Sequence, residues 1–117
     1  MSTISERELL VSDLEALLLA SKATRQSIVE VERRTRRMIR IVQNEGTIED
    51  LLTLFMDPAS RATEVTSVLH LFEAARLQTR RRIVRMAQSD GVSLTRLSKF
   101  WGISRQRVSR IAQDDAP

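Results

Sequence analysis

The side chains best placed to do chemistry in this sequence are guanidinium groups, and they are unevenly distributed. Residues 1–69 carry 9 Lys/Arg against 11 Asp/Glu, a net −2, whereas residues 70–117 carry 10 against 4, a net +6. A polyanion is the natural partner of such a half, because each phosphate that a basic side chain neutralises releases condensed counterions. The basic residues there fall into three clusters: Arg76, Arg80, Arg81, Arg82 and Arg85, then Arg96 and Lys99, then Arg105, Arg107 and Arg110.

Catalytic chemistry lacks a matching constellation. His70 is the only histidine, and its neighbours Val68, Leu69, Leu71 and Phe72 predict a packed or half-buried helix position rather than a base or a ligand. Glu49-Asp50 and Asp114-Asp115 are carboxylate neighbours, but adjacent helical residues diverge by about 100° and do not converge on one substrate atom. There is no glycine-rich phosphate loop, and the absence of cysteine excludes disulfides and thiolate metal sites. Neither an enzyme nor a cofactor is expected. The N-terminal MSTISERELL is unlike a secretory signal, and the most apolar window, Leu14 to Ala20, is broken by Glu15 and too short to span a bilayer. The expectation is a cytoplasmic, nucleoid-associated chain with no membrane partner.

The elements that must carry these arginines read as helices. Three glycines, two prolines and no tyrosine in 117 residues favour an all-α fold, compact enough for one domain with a helical appendage. Between Met1 and Gly46 no glycine or proline intervenes, and a stripe runs in steps of four and three: Leu10, Leu14, Leu17, Ser21, Thr24, Ile28, Val31, Thr35, Met38, Val42. It fits one long helix, or two broken near Ser21–Thr24. A homodimer is expected along Leu10, Leu14, Leu17, Ile28, Val31, Met38 and Val42, the alternative being packing on the chain's own later helices. The basic cluster Arg33, Arg34, Arg36, Arg37 and Arg40 reads as a solvated face, partly paired with Glu30 and Glu32, the alternative being a second phosphate-contacting surface.

Gly46 suits the left-handed residue after a helix, and Thr47 with Asp50 resembles a capping box for a short helix, Ile48 to Met56. Asp57-Pro58 is a further start signal, and the next break is Ser89-Asp90-Gly91. The predicted organisation is a helical association region over 1–57 and a long helix plus C-terminal unit over 58–117.

After Gly91 the sequence is VSLTRLSKFWGISRQRVSRIAQ. Leu94, Leu97, Trp101, Ile103, Val108 and Ile111 are spaced to face a shared core, Ser98 is small where two helices would cross, Gly102 sits at the turn, and Ser93 and Ser104 are placed as N-caps. This segment resembles the helix-turn-helix DNA-binding family, and GISRQRVSRI is similar to the recognition-helix segment of the fourth region of bacterial sigma factors. The other sigma-factor regions have no counterpart here, so the resemblance extends to the module and not to the sigma role. It covers the residues from Ser93 on, and reaches back to the arginine-rich helix if that helix is the first of a trihelical unit. With only Asp114-Asp115-Ala116-Pro117 after it, no wing is expected.

What the resemblance implies is a bacterial or phage-like transcriptional regulator that binds double-stranded DNA. Ser104 would cap the recognition helix, and Arg105, Gln106, Ser109 and Arg110 would face the bases. Arg binds guanine O6/N7 and Gln binds adenine N6/N7 in bidentate fashion. Ser104, Thr95, Arg96, Lys99, Arg107, Arg80, Arg81 and Arg82 would hold phosphates and fix register. Two rival readings use the same helices: an interaction protein that docks on RNA polymerase or another regulator, and an architectural protein that coats DNA without sequence choice.

Overall fold

A computed structural model describes residues 4–54 and 65–113, which are all-helical with no strand among them. Five helices are seen in these residues: α1 (Glu6–Gln43), α2 (Ile48–Thr53), α3 (Val65–Ser89), α4 (Leu94–Trp101) and α5 (Arg105–Gln113). None of them is long and apolar enough to cross a membrane. The described parts of Met1–Leu18 and Glu73–Pro117 make one compact unit, and those of Leu19–Phe72 make another. The expected boundary at Asp57-Pro58 lies outside the described residues, as does the expected end of the second helix at Met56.

Of the two possibilities for the N-terminal stretch, a single helix is observed. Its 38 residues contain no glycine or proline, and at the weakest part of its stripe the Thr24 hydroxyl donates to the Ala20 carbonyl at 2.7 Å, so the polar side chain is satisfied without breaking the helix. The acidic residues Glu6 and Glu8 in the first turn and Arg40 in the last complement the helix dipole.

The face that α1 buries differs from the expected seam. Covered residues recur at Leu10, Asp13, Leu17, Ala20, Thr24, Ser27, Val31, Arg34, Met38 and Ile41, with Ser27 fully buried. Leu10, Leu17, Val31 and Met38 are shared with the expected seam, but its second column is displaced by one residue, leaving Leu14, Ile28 and Val42 exposed. Either column satisfies a 3.5-residue period. In the compact unit that includes α4, α5 and α3 from Glu73 on, Asp13 belongs to the covered column because Arg82 lies opposite it.

That contact holds the head of α1 against α3. Arg82 Nε donates to Asp13 Oδ2 at 2.9 Å, Glu6 stands 3.8 Å from the same guanidinium, and the buried Thr79 hydroxyl lies 3.4 Å from the Asp13 carbonyl. The first turns of α1 therefore belong with the C-terminal helices rather than with a separate association region.

The ends of α1, α3 and α4 close in the same way. In each a backbone N–H reaches the carbonyl five residues earlier: Gly46 to Ile41 at 2.8 Å, Val92 to Ala87 at 2.8 Å, Ile103 to Ser98 at 3.1 Å. The residue just before each of these donors is left-handed: Glu45 (φ 60), Gly91 (φ 80) and Gly102 (φ 65). Gly46 was expected to supply positive φ, and Glu45 does so instead. Glycine is required at 46 for another reason, since a Cβ there would collide with the Ile41 side chain and lie 2.8 Å from its carbonyl oxygen. The capping box at Thr47 is present, with Thr47 N–H donating to Asp50 Oδ2 at 2.8 Å and Asp50 N–H to Thr47 Oγ1 at 3.2 Å.

Candidate nucleic-acid interface

The C-terminal helices are positioned by a small core. Val84 from α3, Leu97 from α4, and Val108 and Ile111 from α5 are buried, and Leu77, Ile83, Leu94, Trp101 and Ile103 pack around them. Burying side chains of this size contributes roughly 1.5–3 kcal/mol each, so four of them fix the mutual orientation of three short or half-length elements.

Capping sharpens the chain reversal between α4 and α5. Ser93 Oγ accepts the Arg96 N–H at 3.1 Å, and Ser104 Oγ accepts the Arg107 N–H at 3.1 Å. Left-handed Gly102 ends α4, and its N–H reaches the Ser98 carbonyl. Ser98 turns its hydroxyl back onto the Thr95 carbonyl at 2.8 Å, leaving a compact surface on α4.

Once Val108 and Ile111 face inward, helical period sends Gln106, Arg110 and Gln113 to the opposite side and Arg105 to the flank, and all four are exposed. Ser109 is half-buried at the edge of that face. Arg107 is exposed on α5, and Thr95, Arg96 and Lys99 are exposed on α4.

The consecutive arginines of α3 separate, because successive helical positions point about 100° apart. Arg80 lies over the Trp101 ring, 5.3 Å from its centroid, a cation–π contact that holds it beside α4. Its guanidinium is held below the ordinary pKa first by partial burial, then by the like charges of Arg76 and Arg107, with Glu73 acting in the other direction. Arg81 is only 7% exposed, and Arg82 is paired with Asp13. Of Arg80, Arg81 and Arg82, each expected to hold a phosphate, Arg81 and Arg82 point into the unit while Arg80 lies at its edge beside α4. Arg76, four residues before Arg80 and outside the expected site, joins it there, although it also pairs with Glu73 at 3.2 Å. The signal for Arg76 was its one-turn spacing from Arg80.

Other candidates recede. Among the described residues no group of three or more His, Cys, Asp or Glu side chains is arranged to hold a metal ion. His70, expected to be packed or half-buried, is exposed. An open, mostly apolar cleft of about 400 Å³ lies between the head of α1, the end of α3 and α4; Leu10, Met86 and Leu97 contribute to its walls, Asp90 and Arg96 also line it, and Phe100 stands 83% exposed beside it. Compared with known proteins, the chain matches no family model, no curated protein and no solved structure.

Proposed function

We propose that this chain is a sequence-specific double-stranded DNA-binding regulator of transcription in which α3, α4 and α5 act as a trihelical helix-turn-helix that needs no wing, and α5 enters the major groove. The observation that carries the reading is the two-sidedness of α5: Val108 and Ile111 anchor it, and Arg105 on the flank with Gln106 and Arg110 on the opposite face are exposed. Those side chains supply the bidentate donors and acceptors that base edges require. Arg76, Arg80 and Arg107 form a cationic patch beside them, and its mutual repulsion would be relieved by a phosphate. Thr95, Arg96 and Lys99 on α4 complete the backbone-holding set. The protein acts in the cytoplasm on the nucleoid, and as a homodimer through α1.

Selection of bound fragments from random duplex DNA, followed by titration of the selected duplex against a scrambled one at several salt concentrations, tests this. The reading expects a discrimination of at least about a thousandfold and a steep salt dependence. Equal affinity for both duplexes would instead support the architectural reading, and no binding at low salt would end both.

One observation favours a second reading. Phe100 is large, apolar and 83% exposed beside the apolar cleft, a combination suited to a protein partner such as RNA polymerase or another regulator. Phe100→Ala that abolished regulation while duplex affinity stayed unchanged would support it.

A further inference from the structure

The covered column of α1 leaves a second apolar stripe one residue further on. Val11, Leu14, Leu18, Ile28, Ile39 and Val42 are each between 41% and 61% exposed and sit on the same alternation of three and four. Ser21, Arg25, Glu32 and Thr35 fill the remaining positions of that stripe. We infer that this stripe pairs with the same stripe of a second copy, and that the two α1 helices run antiparallel. The inference deepens the homodimer in the proposed function by giving it a surface and a direction.

Charge fixes the direction. In a parallel pair each residue of a seam meets its own copy, so Arg25 would stack on the partner's Arg25 and Glu32 on the partner's Glu32. The arginines of residues 33–40 would also lie alongside their own copies. Like charges so placed raise the energy of the pair.

Reversing one helix moves the two Glu32 residues about 16 Å apart along the axis, takes each Arg25 off direct stacking on its own copy to about one turn away, and creates matches. With Leu14 set opposite the partner's Ile39, Val11 falls opposite the partner's Val42, so the apolar ends of the stripe cover each other. Arg25 then faces the partner's Ile28, about one turn from both the partner's Arg25 and the partner's Glu32, so the opposite charge offsets the like one. On the flank, Glu15 meets the partner's Arg36, and by symmetry the pair occurs twice. Of the acidic head of the helix, Glu8 and Glu15 are thereby laid along the basic tail, with Arg36, Arg37 and Arg40.

The chain contains no cysteine, so a single introduced thiol reports position without background. Full-length Leu14→Cys and Ile39→Cys proteins, both altered at exposed sites, are mixed, oxidised mildly and mapped by mass spectrometry. Crosslinks joining position 14 to position 39 are expected to dominate. Leu14→Cys alone should not crosslink, because two copies of that position lie about 37 Å apart along an antiparallel pair. A crosslink from 14 to 14 would overturn the inference in favour of a parallel pair; no crosslink between 14 and 39 in a chain that sediments as a dimer would place the interface elsewhere, and a monomer at about 100 µM would remove it.

Charge exchange supplies a second measurement. Glu15→Arg should weaken dimerisation about fivefold or more, and Glu15→Arg with Arg36→Glu should restore it, whereas a parallel pair would gain nothing from the second change. Duplex binding is followed on the same variants. Loss of salt-dependent duplex binding by the unaltered chain would sink the DNA reading whatever the crosslinks show, and a 14-to-14 crosslink would sink the antiparallel pair even where duplex is bound.

Discussion

Arg82 and Asp13 are 69 residues apart in sequence, yet their side chains meet at 2.9 Å and both are largely shielded, 13% and 14% exposed. A shielded ion pair is weak evidence of net stabilisation, but breaking it strands the surviving charge. Asp13→Ala should therefore cost about 1.5–3 kcal/mol, the value of a hydrogen bond to a charged group, moderated by Glu6 at 3.8 Å. Urea unfolding of the full chain measures it. Arg82→Met in the Asp13→Ala background should recover part of the loss, because no charge is then left in the shielded position.

The same pair separates two kinds of arginine in the DNA reading. Arg82→Ala should lower stability and leave the slope of log affinity against log salt unchanged, since its guanidinium is committed to Asp13. Arg80→Ala should flatten that slope by about one unit if Arg80 gives up a phosphate contact. Titrations on one duplex at four or more salt concentrations distinguish them. A slope that fell for Arg82→Ala and held for Arg80→Ala would reverse the assignment of the two side chains.

Much of this architecture was legible in the residues, and the misses share a cause. The all-helical class, the Thr47–Asp50 box and the caps at Ser93 and Ser104 depend on local chemistry: hydroxyl and carboxylate acceptors next to orphan N–H groups. The core positions Leu97, Val108 and Ile111 follow from helical period within one short segment. What was not legible depends on long-range geometry. Apolar content did not mark Asp13 and Ser27 as covered positions, and only the presence of Arg82 opposite shows why Asp13 is covered. Three consecutive arginines look alike in sequence, and only the positions of Trp101 and Asp13 assign Arg80 and Arg82 to different sides. Glu45 took the left-handed position because Gly46 was needed where Ile41 approaches.

Glu45 offers a way to test the helix-end geometry. A non-glycine residue in the left-handed region costs about 1–2 kcal/mol, part of which glycine returns through the greater freedom of the unfolded chain. Glu45→Gly should stabilise the protein by about 0.5–1 kcal/mol. Gly102→Ala should destabilise it by about 1 kcal/mol or more, through backbone strain alone, since nothing lies within 4 Å of the added Cβ. Thermal unfolding of both variants checks the signs, and a neutral Gly102→Ala would mean that α4 ends differently.

The division of polar side chains between α4 and α5 decides which helix should read bases. Gln106 and Arg110 are exposed on the side of α5 away from Val108 and Ile111 and Arg105 on its flank, so a groove that accepts this helix meets them first. Each change to Ala should cost about 1–3 kcal/mol on the selected duplex, relax preference at one base position, and alter binding to scrambled duplex less. Arg96 and Lys99 are exposed on α4, which the helix-turn-helix reading places across the backbone rather than in the groove. Their replacement by Ala should weaken selected and scrambled duplexes alike and lower the salt slope by about one unit each. None of these five residues contributes to the buried core, so loss of folding does not confound the comparison. Selection from randomised duplex, repeated for each variant, reads out base preference directly. Preference that shifted with Arg96 or Lys99 and held with Arg105, Gln106 and Arg110 would put α4 in the groove, and the proposed orientation of the module would have to be reversed.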